Sequence, residues 1–362
     1  MSLTTLQVQR ADFARSRIVE SPLPAPADGQ ILVRVDKFAL TANNVTYALA
    51  GHLLGYWKFF PAEEPWGVVP VWGFGDVVAT RSADIPVGER LWGYWPMASH
   101  VVLTPSKVAP RGFHEASPHR QGLAAAYNSY ARTDKDPPEL KAMEDRRAIL
   151  FPLYATSYIL CDYLADNGFF GAQDVVISSI SSKTSMGLGR LLMAAGEGRP
   201  RVIGLTSPAN VNYVRGLGVC DDVATYAEIS GLDGARAAVF VDMAGQGDIV
   251  AAVHARYGAN LKASVAVGVT HWESQRFSNK GEPATPHSFF FAPAQLAKRD
   301  KDWGPGEAMR RAQKSCLGLV NDLSGAMTVS HEFGATATQA AFARLVAGRQ
   351  SPKVGIIASL SR

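Results

Sequence analysis

DVVISSISSKTSMGLGRLLMAAGEGRPRVIGLT, residues 174–206, decides the fold. A short β-branched run (174–180) enters a serine-rich turn, SMGLGRLLMAAGEG has helical character, and RVIGLT (201–206) is a second buried strand. The alternation continues downstream. A helix is predicted from Pro208 to Gly216, a short strand at Asp222-Val223-Ala224, and a fourth strand at AAVFVDMA (237–244). A helix over Ile249–Tyr257 and a fifth strand at KASVAVGV (262–269) complete the pattern. Such alternation predicts an α/β domain, a doubly wound parallel sheet covered by helices on both faces. SFFFAP (288–293) reads as an edge strand, before a helix over Gly306–Leu323 and a β-like tail ending VGIIASL.

Upstream the chain is β-rich. ILVRVDKFAL (31–40) places Ile31, Val33 and Val35 on one face and Arg34 and Asp36 on the other. Further strands are expected at Trp72–Thr80, Glu89–Gly93 and Ala98–Val102, which together predict a small barrel or partly open sandwich. Residues 111–148 read as a surface loop flanking a short helix around Gln121–Tyr130. LYATSYILCDYLADNGFF (153–170) reads as a helix stopping at Asn167-Gly168. The expected organisation is a dinucleotide-binding domain over 151–292, set inside a β-rich domain built from 1–150 and 293–362.

The 362 residues suit two domains, and 47% hydrophobic against 19% charged residues fits a large core. Lys and Arg number 36 against 32 acids, and the densest basic knots are pairs such as Arg146-Arg147 and Arg310-Arg311. No nucleic-acid partner is expected from so thin a spread. No apolar run reaches the roughly 18 residues of a bilayer span, and the first twenty residues lack a signal-peptide pattern. Cys161, Cys220 and Cys316 are scattered, which suits a reducing compartment. The expectation is a cytoplasmic protein acting on a small molecule.

Ligands of doubly wound sheets bind at the carboxyl ends of the strands, and the first turn usually takes the phosphates. Here that turn is Ser178–Ser185, without a G-x-G-x-x-G match, since Gly187 and Gly189 fall inside the following helix. Ser181, Ser182, Lys183, Thr184 and Ser185 offer hydroxyls, an ammonium and a helix N-terminus to a diphosphate. A serine-rich cap that binds nothing is the alternative. A P-loop would need glycine at Ile177 and Ser182, which excludes an NTPase. After the second strand no acid occurs until Asp221, which favours NADP(H) over NAD(H). Ser207 and Asn210 are the candidates there for the 2′-phosphate, with Arg215 further on, and Thr206 is a further cofactor-binding candidate.

His52, Glu63, Glu64 and His100 have no metal-ligand spacing, so no zinc is expected. No G-x-S-x-G elbow occurs, which sets hydrolase chemistry aside. The polar groups of the first domain are Thr41, Asn43, Asn44, Tyr47, Tyr56 and Tyr94. A tyrosine can protonate a carbanion or enolate, while amphipathic packing is its ordinary use. GYWKFFPAEEPWG (55–67) is aromatic enough for a flat substrate cleft or a satellite core.

Along nearly its whole length the chain resembles the medium-chain dehydrogenase/reductase superfamily. ILVRVDKFALTANNVTYALAG is similar to the superfamily's N-terminal strand and following loop, with Asn44 where zinc-free quinone-oxidoreductase-like members often have Asp and Thr41 where they often have Asn. GFGDVVATRSADIPVGERLWGYWPMASHVVL resembles the stretch ending in a vGdrVwG turn, and LFPLYATSYILCDYL the hinge helix, with Thr156 matching a threonine near the nicotinamide. FVDMAGQGDIVAAVHARYGANLKASVAVGVT resembles the fourth and fifth cofactor-domain strands. The Ser-Ser-Lys-Thr turn resembles most an uncharacterised branch bearing a domain-of-unknown-function label. Ser182 and Ser185 stand at the glycine positions of the superfamily's A-x-x-G-x-x-G turn.

The resemblance implies a Rossmann domain plus a GroES-like domain formed by both chain ends. It implies NADPH as cofactor, with Thr156, Ala244, Val267, Gly268 and Val269 near the nicotinamide half, and no zinc. It also implies a homodimer joined through the 288–293 edge strand. The expected activity is a zinc-independent, NADPH-dependent reduction of an activated alkene, quinone or carbonyl compound. Tyr47, Asn44, Thr41 or Tyr56 would hold the carbonyl oxygen or supply the proton. The alternatives are a catalytically inactive scaffold binding a nucleotide, metabolite or partner, and a metal-free alcohol or aldehyde dehydrogenase.

Overall fold

The alternating run at 31–40 becomes a long strand of the first of two units in the computed structural model, which describes residues 2–243, 245–267 and 285–361. That unit comprises 1–149 and 327–362, and the second comprises 150–326. The chain opens with the hairpin β1 (Ser2–Gln9) and β2 (Asp12–Pro22), followed by β3 (Ile31–Leu40) and helix α1 (Ala42–Leu49). Then come β4 (Trp66–Gly67), β5 (Pro70–Thr80), β6 (Arg90–Pro96), β7 (His100–Leu103), β8 (Pro105–Ala109), β9 (Gly112–Glu115) and β10 (Ser129–Arg132). β3 pairs antiparallel with both β5 and β7. A register shift between Val35 and Lys37 interrupts its alternation, and Asp36 is buried, with Arg90 Nη2 2.9 Å from its carboxylate.

The helix expected around Gln121–Tyr130 is absent. Short 3₁₀ turns occupy 118–120 and 125–128, and the backbone then enters β10, paired to β6 and β9. Tyr130 is buried there and stacks on Phe113, ring centres 5.4 Å apart. A segment this short gains more from two strand neighbours than from an isolated turn of helix.

After α2 (Pro138–Ala142), helix α3 (Glu144–Asp166) begins well before the apolar run that announced it. Its first-turn acids are anchored: Arg90 Nε lies 2.6 Å from Glu144, and Lys37 Nζ 2.8 Å from Asp145. Contrary to the sequence reading, α3 is long and apolar enough to cross a bilayer, but Leu153, Tyr154, Ile159, Leu160 and Leu164 are buried in the protein.

The second unit alternates as predicted: β11 (Asp174–Ile177), α4 (Lys183–Met193), β12 (Arg201–Thr206), α5 (Val211–Leu217), β13 (Asp222–Thr225), β14 (Ala238–Asp242), α6 (Gly247–Tyr257), β15 (Leu261–Ala266) and β16 (His287–Phe289). All six strands are parallel, in the order β13-β12-β11-β14-β15-β16. This is the doubly wound Rossmann order, reversing between β11 and β14. Phe240, Ile249, Val250, Val253 and Tyr257 form much of the core beneath α6.

Residues 293–326, assigned above to the β-rich domain, belong instead to the second unit as α7 (Ala292–Trp303) and α8 (Glu307–Asp322). Charge holds α7 on α3, with Arg299 Nε 2.7 Å from Asp162, and α8 buries Ala308, Ala312, Cys316, Leu319 and Val320. The β-like tail returns to the first unit as β17 (Thr328–Phe333), α9 (Ala335–Val346) and β18 (Val354–Ser359), the last antiparallel to β3.

Candidate active site

The first turn of the parallel sheet is built from hydroxyls. Ser178, just past β11, is fully buried, and Ser179 takes a left-handed φ of 51°, a conformation that disfavours any side chain. Ser182 caps α4: its Oγ accepts the Ser185 N–H at 3.3 Å and lies 2.8 Å from the Ser185 hydroxyl. Ser185 Oγ also donates to the Ser178 carbonyl at 3.3 Å. Lys183 stands in the first turn of α4, where burial pulls its ammonium down to about 8. The Thr184 carbonyl accepts the Ser157 hydroxyl at 2.7 Å, tying the turn to α3.

Gly187 and Gly189 have a packing role. A Cβ at 187 would lie 2.6 Å from Ser157 Oγ, and one at 189 would lie 2.2 Å from the Val219 carbonyl oxygen. These glycines let α4 sit against α3 and against the loop before β13.

The end of the second strand joins the same edge. Thr206 Oγ1 donates to Ser181 Oγ at 3.3 Å, and Asn210 Nδ2 donates to Ser181 Oγ at 3.3 Å and to Ser207 Oγ at 3.1 Å. Four of the sequence candidates thus converge in one network. Asp221, the first acid after β12, is elsewhere: it pairs with Arg199 at 2.7 Å and accepts the Val202 N–H, at the amino end of the sheet. The carboxyl edge of β12 therefore carries hydroxyls and an amide rather than a carboxylate. Arg215 is exposed in the last turn of α5.

Thr156 donates to the Pro152 carbonyl at 3.0 Å, one turn back in its own helix. Val267 donates its N–H to the Asp242 carbonyl at 2.8 Å, just beyond β15. Ala244, Gly268 and Val269 lie outside the described residues. So does most of the segment joining β15 to β16.

The candidates of the first unit divide in two. Asn44 is buried and fully engaged, accepting the Thr41 N–H at 2.7 Å and donating to the Pro70 carbonyl at 3.0 Å. With Thr41 it fixes the start of α1, a structural use of both residues. Tyr47 and Tyr56 instead join an aromatic cluster with Tyr94, Tyr127 and Trp72. Trp72 Nε1 donates to Tyr47 Oη at 3.1 Å, and the Tyr56 and Tyr127 hydroxyls are 3.0 Å apart. Ring centres are 4.6 Å apart for Tyr47–Tyr56 and 4.8 Å for Tyr94–Tyr127. Burial pushes the Tyr47, Tyr56, Tyr94 and Tyr127 phenols well above their ordinary range, so each keeps its proton at neutral pH. Tyr127 was hidden from sequence reasoning by the misread helix.

The sequence matches, over residues 38–351, the family described as a protein of unknown function (DUF2855). The chain belongs to that family. No curated protein matches it. In three dimensions it is similar to CurA of Vibrio vulnificus in complex with NADPH, at 12% identity over 99% of each chain and a TM-score of 0.61. It is similar also to a mycobacterial protein complexed with NADPH, at 15% identity over 99% of this chain and 100% of that one, TM-score 0.54. A Mesorhizobium loti protein described as an NADPH:quinone reductase matches at 15% identity over 99% of this chain and 98% of that one, TM-score 0.60. The family member thus has the fold of the medium-chain dehydrogenase/reductases, a Rossmann unit with a GroES-like one.

Proposed function

We propose that this protein is an NADPH-dependent reductase that acts without zinc on an activated alkene, quinone or carbonyl compound. One observation carries the reading: at the strand-order reversal, the carboxyl edge presents hydroxyls, a lysine and a helix N-terminus, and its second strand ends without an acid. The donor set fits a phosphorylated dinucleotide. Ser182, Lys183 and the first N–H groups of α4 suit a diphosphate, and Ser207, Asn210 and Arg215 suit a 2′-phosphate. Two of the similar structures hold NADPH, which agrees with this choice.

NADPH, when bound, supplies the hydride. The chain's own part is to orient an acceptor and provide a proton. Tyr47 holds its phenolic proton at neutral pH, and the Trp72 N–H on its oxygen steadies the charge left when that proton departs. The surrounding aromatic rings favour a flat, apolar acceptor.

Two measurements test the reading. Fluorescence titration with NADPH and with NADH should give binding of the first and a clear preference over the second. Stopped-flow mixing of the NADPH-loaded protein with enones, enals and quinones should then consume NADPH. A second reading, a nucleotide-holding protein without turnover, is favoured by the mutual bonding of Ser181, Thr206 and Asn210, and tight binding without consumption would select it.

A further inference from the structure

Part of the stretch 111–148, which reads as a surface loop, buries a charge instead. The side chains of Arg120 and Glu115 are 2% and 1% exposed and face each other across 3.7 Å. Glu115 is satisfied locally, accepting the Thr104 N–H at 3.0 Å and the Ser117 N–H at 2.8 Å. Arg120 reaches further. Its Nε–H donates to the Phe59 carbonyl at 3.2 Å, and its Nη1–H donates to Tyr130 Oη at 3.2 Å. The guanidinium also lies over the Phe60 ring, 4.6 Å from its centre. A buried ion pair is weak support for stability, since apolar side chains fill the same space without desolvating charge. What a guanidinium adds is a rigid fork of donors that can address two oxygens at once.

The direction of each bond follows from that fork. A guanidinium only donates, so the Tyr130 hydroxyl accepts from Arg120 and gives its own hydrogen to the Tyr94 carbonyl. Tyr130 is seated against β6, where a Cβ on Gly93 would lie 2.3 Å from its ring. Arg120 thereby fixes backbone oxygens on two segments, the turn that runs from Tyr56 into Phe59 and strand β6. Those segments carry Tyr56, Phe59 and Tyr94. The Phe59 ring meets Tyr94 edge-on at 5.2 Å and Tyr127 at 5.6 Å, and Tyr94 meets Tyr47 edge-on at 5.5 Å. Tyr56 has its ring centre 4.6 Å from that of Tyr47.

We infer that Arg120 is the positioning residue of the acceptor site: by holding the Phe59 and Tyr94 carbonyls, the second through Tyr130, it sets the rings that pack on Tyr47. This role rests on the reductase reading above, in which Tyr47 gives up the proton. Lysine offers a point charge rather than a fork, so at position 120 it keeps a cation beside Glu115 and loses one of the two directed bonds. The phenolic proton of Tyr47 then leaves from a displaced ring, and such a transfer is sensitive to misplacement by about an ångström. Every member of the clamp belongs to the first unit, and the hydroxyl edge suited to NADPH belongs to the second. The loss therefore falls on turnover and not on nucleotide affinity.

The test has two arms on the full chain and compares wild type with Arg120→Lys, Tyr130→Phe and Ile85→Ala. Ile85, buried in the loop joining β5 to β6 beyond the far end of their ladder from the Trp72–Tyr94 pair, controls for lost stability. Tyr130→Phe removes only the hydroxyl between Arg120 and Tyr94, and it carries the test should Arg120→Lys fail to fold in thermal unfolding. Without nucleotide, NMR of the tyrosine rings should show shifted Tyr94 and Tyr127 signals in both clamp variants and unshifted ones in Ile85→Ala. With NADPH and the acceptor that wild type consumes fastest, kcat should fall by about tenfold to 100-fold in Arg120→Lys and about threefold to tenfold in Tyr130→Phe, while NADPH affinity changes by less than about twofold. Unshifted rings in the clamp variants overturn the clamp. Shifted rings with kcat no lower than in Ile85→Ala overturn the positioning role. A wild type that consumes no NADPH with any acceptor overturns the reductase reading, and the ring signals alone then decide the clamp.

Discussion

Ser182 Oγ lies 2.8 Å from Ser185 Oγ, so the two serines standing where related turns carry glycine are each other's partners. Ser182 also accepts the Ser185 N–H and thereby caps α4. Glycine allows a phosphate to reach bare backbone, whereas here it meets a layer of hydroxyls first. Ser182→Ala should lower stability by about 1 kcal/mol, the usual worth of an N-cap, read as a shift in the urea midpoint. A change of only a few tenths would mean that the cap is not formed in solution.

The second strand's end should decide between the two nicotinamide nucleotides. Asn210→Asp places a carboxylate beside Ser181 and Ser207. NADPH affinity should fall by about tenfold or more while NADH affinity falls less or rises, because the carboxylate repels a 2′-phosphate and accepts a ribose hydroxyl. Competitive titration of the two nucleotides reads the ratio. An unchanged ratio removes Asn210 from the site.

Lys183 gives the site a pH dependence of definite sign. Burial lowers its ammonium from 10.5 to about 8, so the folded protein holds fewer protons than the unfolded chain between those values. For this group alone, stability rises with pH across that window, and below it the buried charge is a constant burden. Phosphate affinity has the opposite trend, since the charge that attracts the anion is lost as pH rises through about 8. NADPH binding should weaken from about pH 7 to about pH 9 in the wild type and stay flat over that range in Lys183→Met.

The packing glycine is open to a direct test. Gly187→Ala sets a methyl group 2.6 Å from Ser157 Oγ and 2.7 Å from Tyr154 Cδ1. Overpacking of this kind costs about 1–3 kcal/mol, measurable by chemical denaturation. Gly216→Ala, with open space around its Cβ and an ordinary φ, is the control and should be near neutral or mildly stabilising.

Tyr47→Phe should lower the rate of NADPH consumption by about 100-fold or more with little change in KM, the signature of a lost proton donor. Tyr56→Phe, whose hydroxyl among the described residues meets Tyr127 Oη at 3.0 Å, should have the smaller effect. Equal and minor losses would return the cluster to the core.

The Rossmann half was legible because its signals are local. Apolar β-branched runs at 174–177, 201–206 and 238–242 alternate with helical spacing, and burial of both faces of a parallel sheet demands that pattern. The first unit was legible only in part. The stretch around Gln121–Tyr130 reads as a short helix in isolation, and pairing with β6 and β9 makes its last residues the start of strand β10. The boundary at 293 failed for a related reason: α8 announces itself as a helix and α7 does not, and the domain α7 joins depends on Asp162 and Asp166, more than a hundred residues earlier.

Among the site residues, the placing of Ser181, Ser182, Thr206 and Asn210 after strand ends was legible before folding, because it follows from where each strand stops. The lack of an acid after β12 was legible in the same way. That Asn44 is consumed by the α1 start, and that Tyr127 completes the tyrosine cluster, came from the folded chain alone. Strand periodicity fixes which face a residue takes, but which residues meet depends on register and sheet order, which no local pattern encodes.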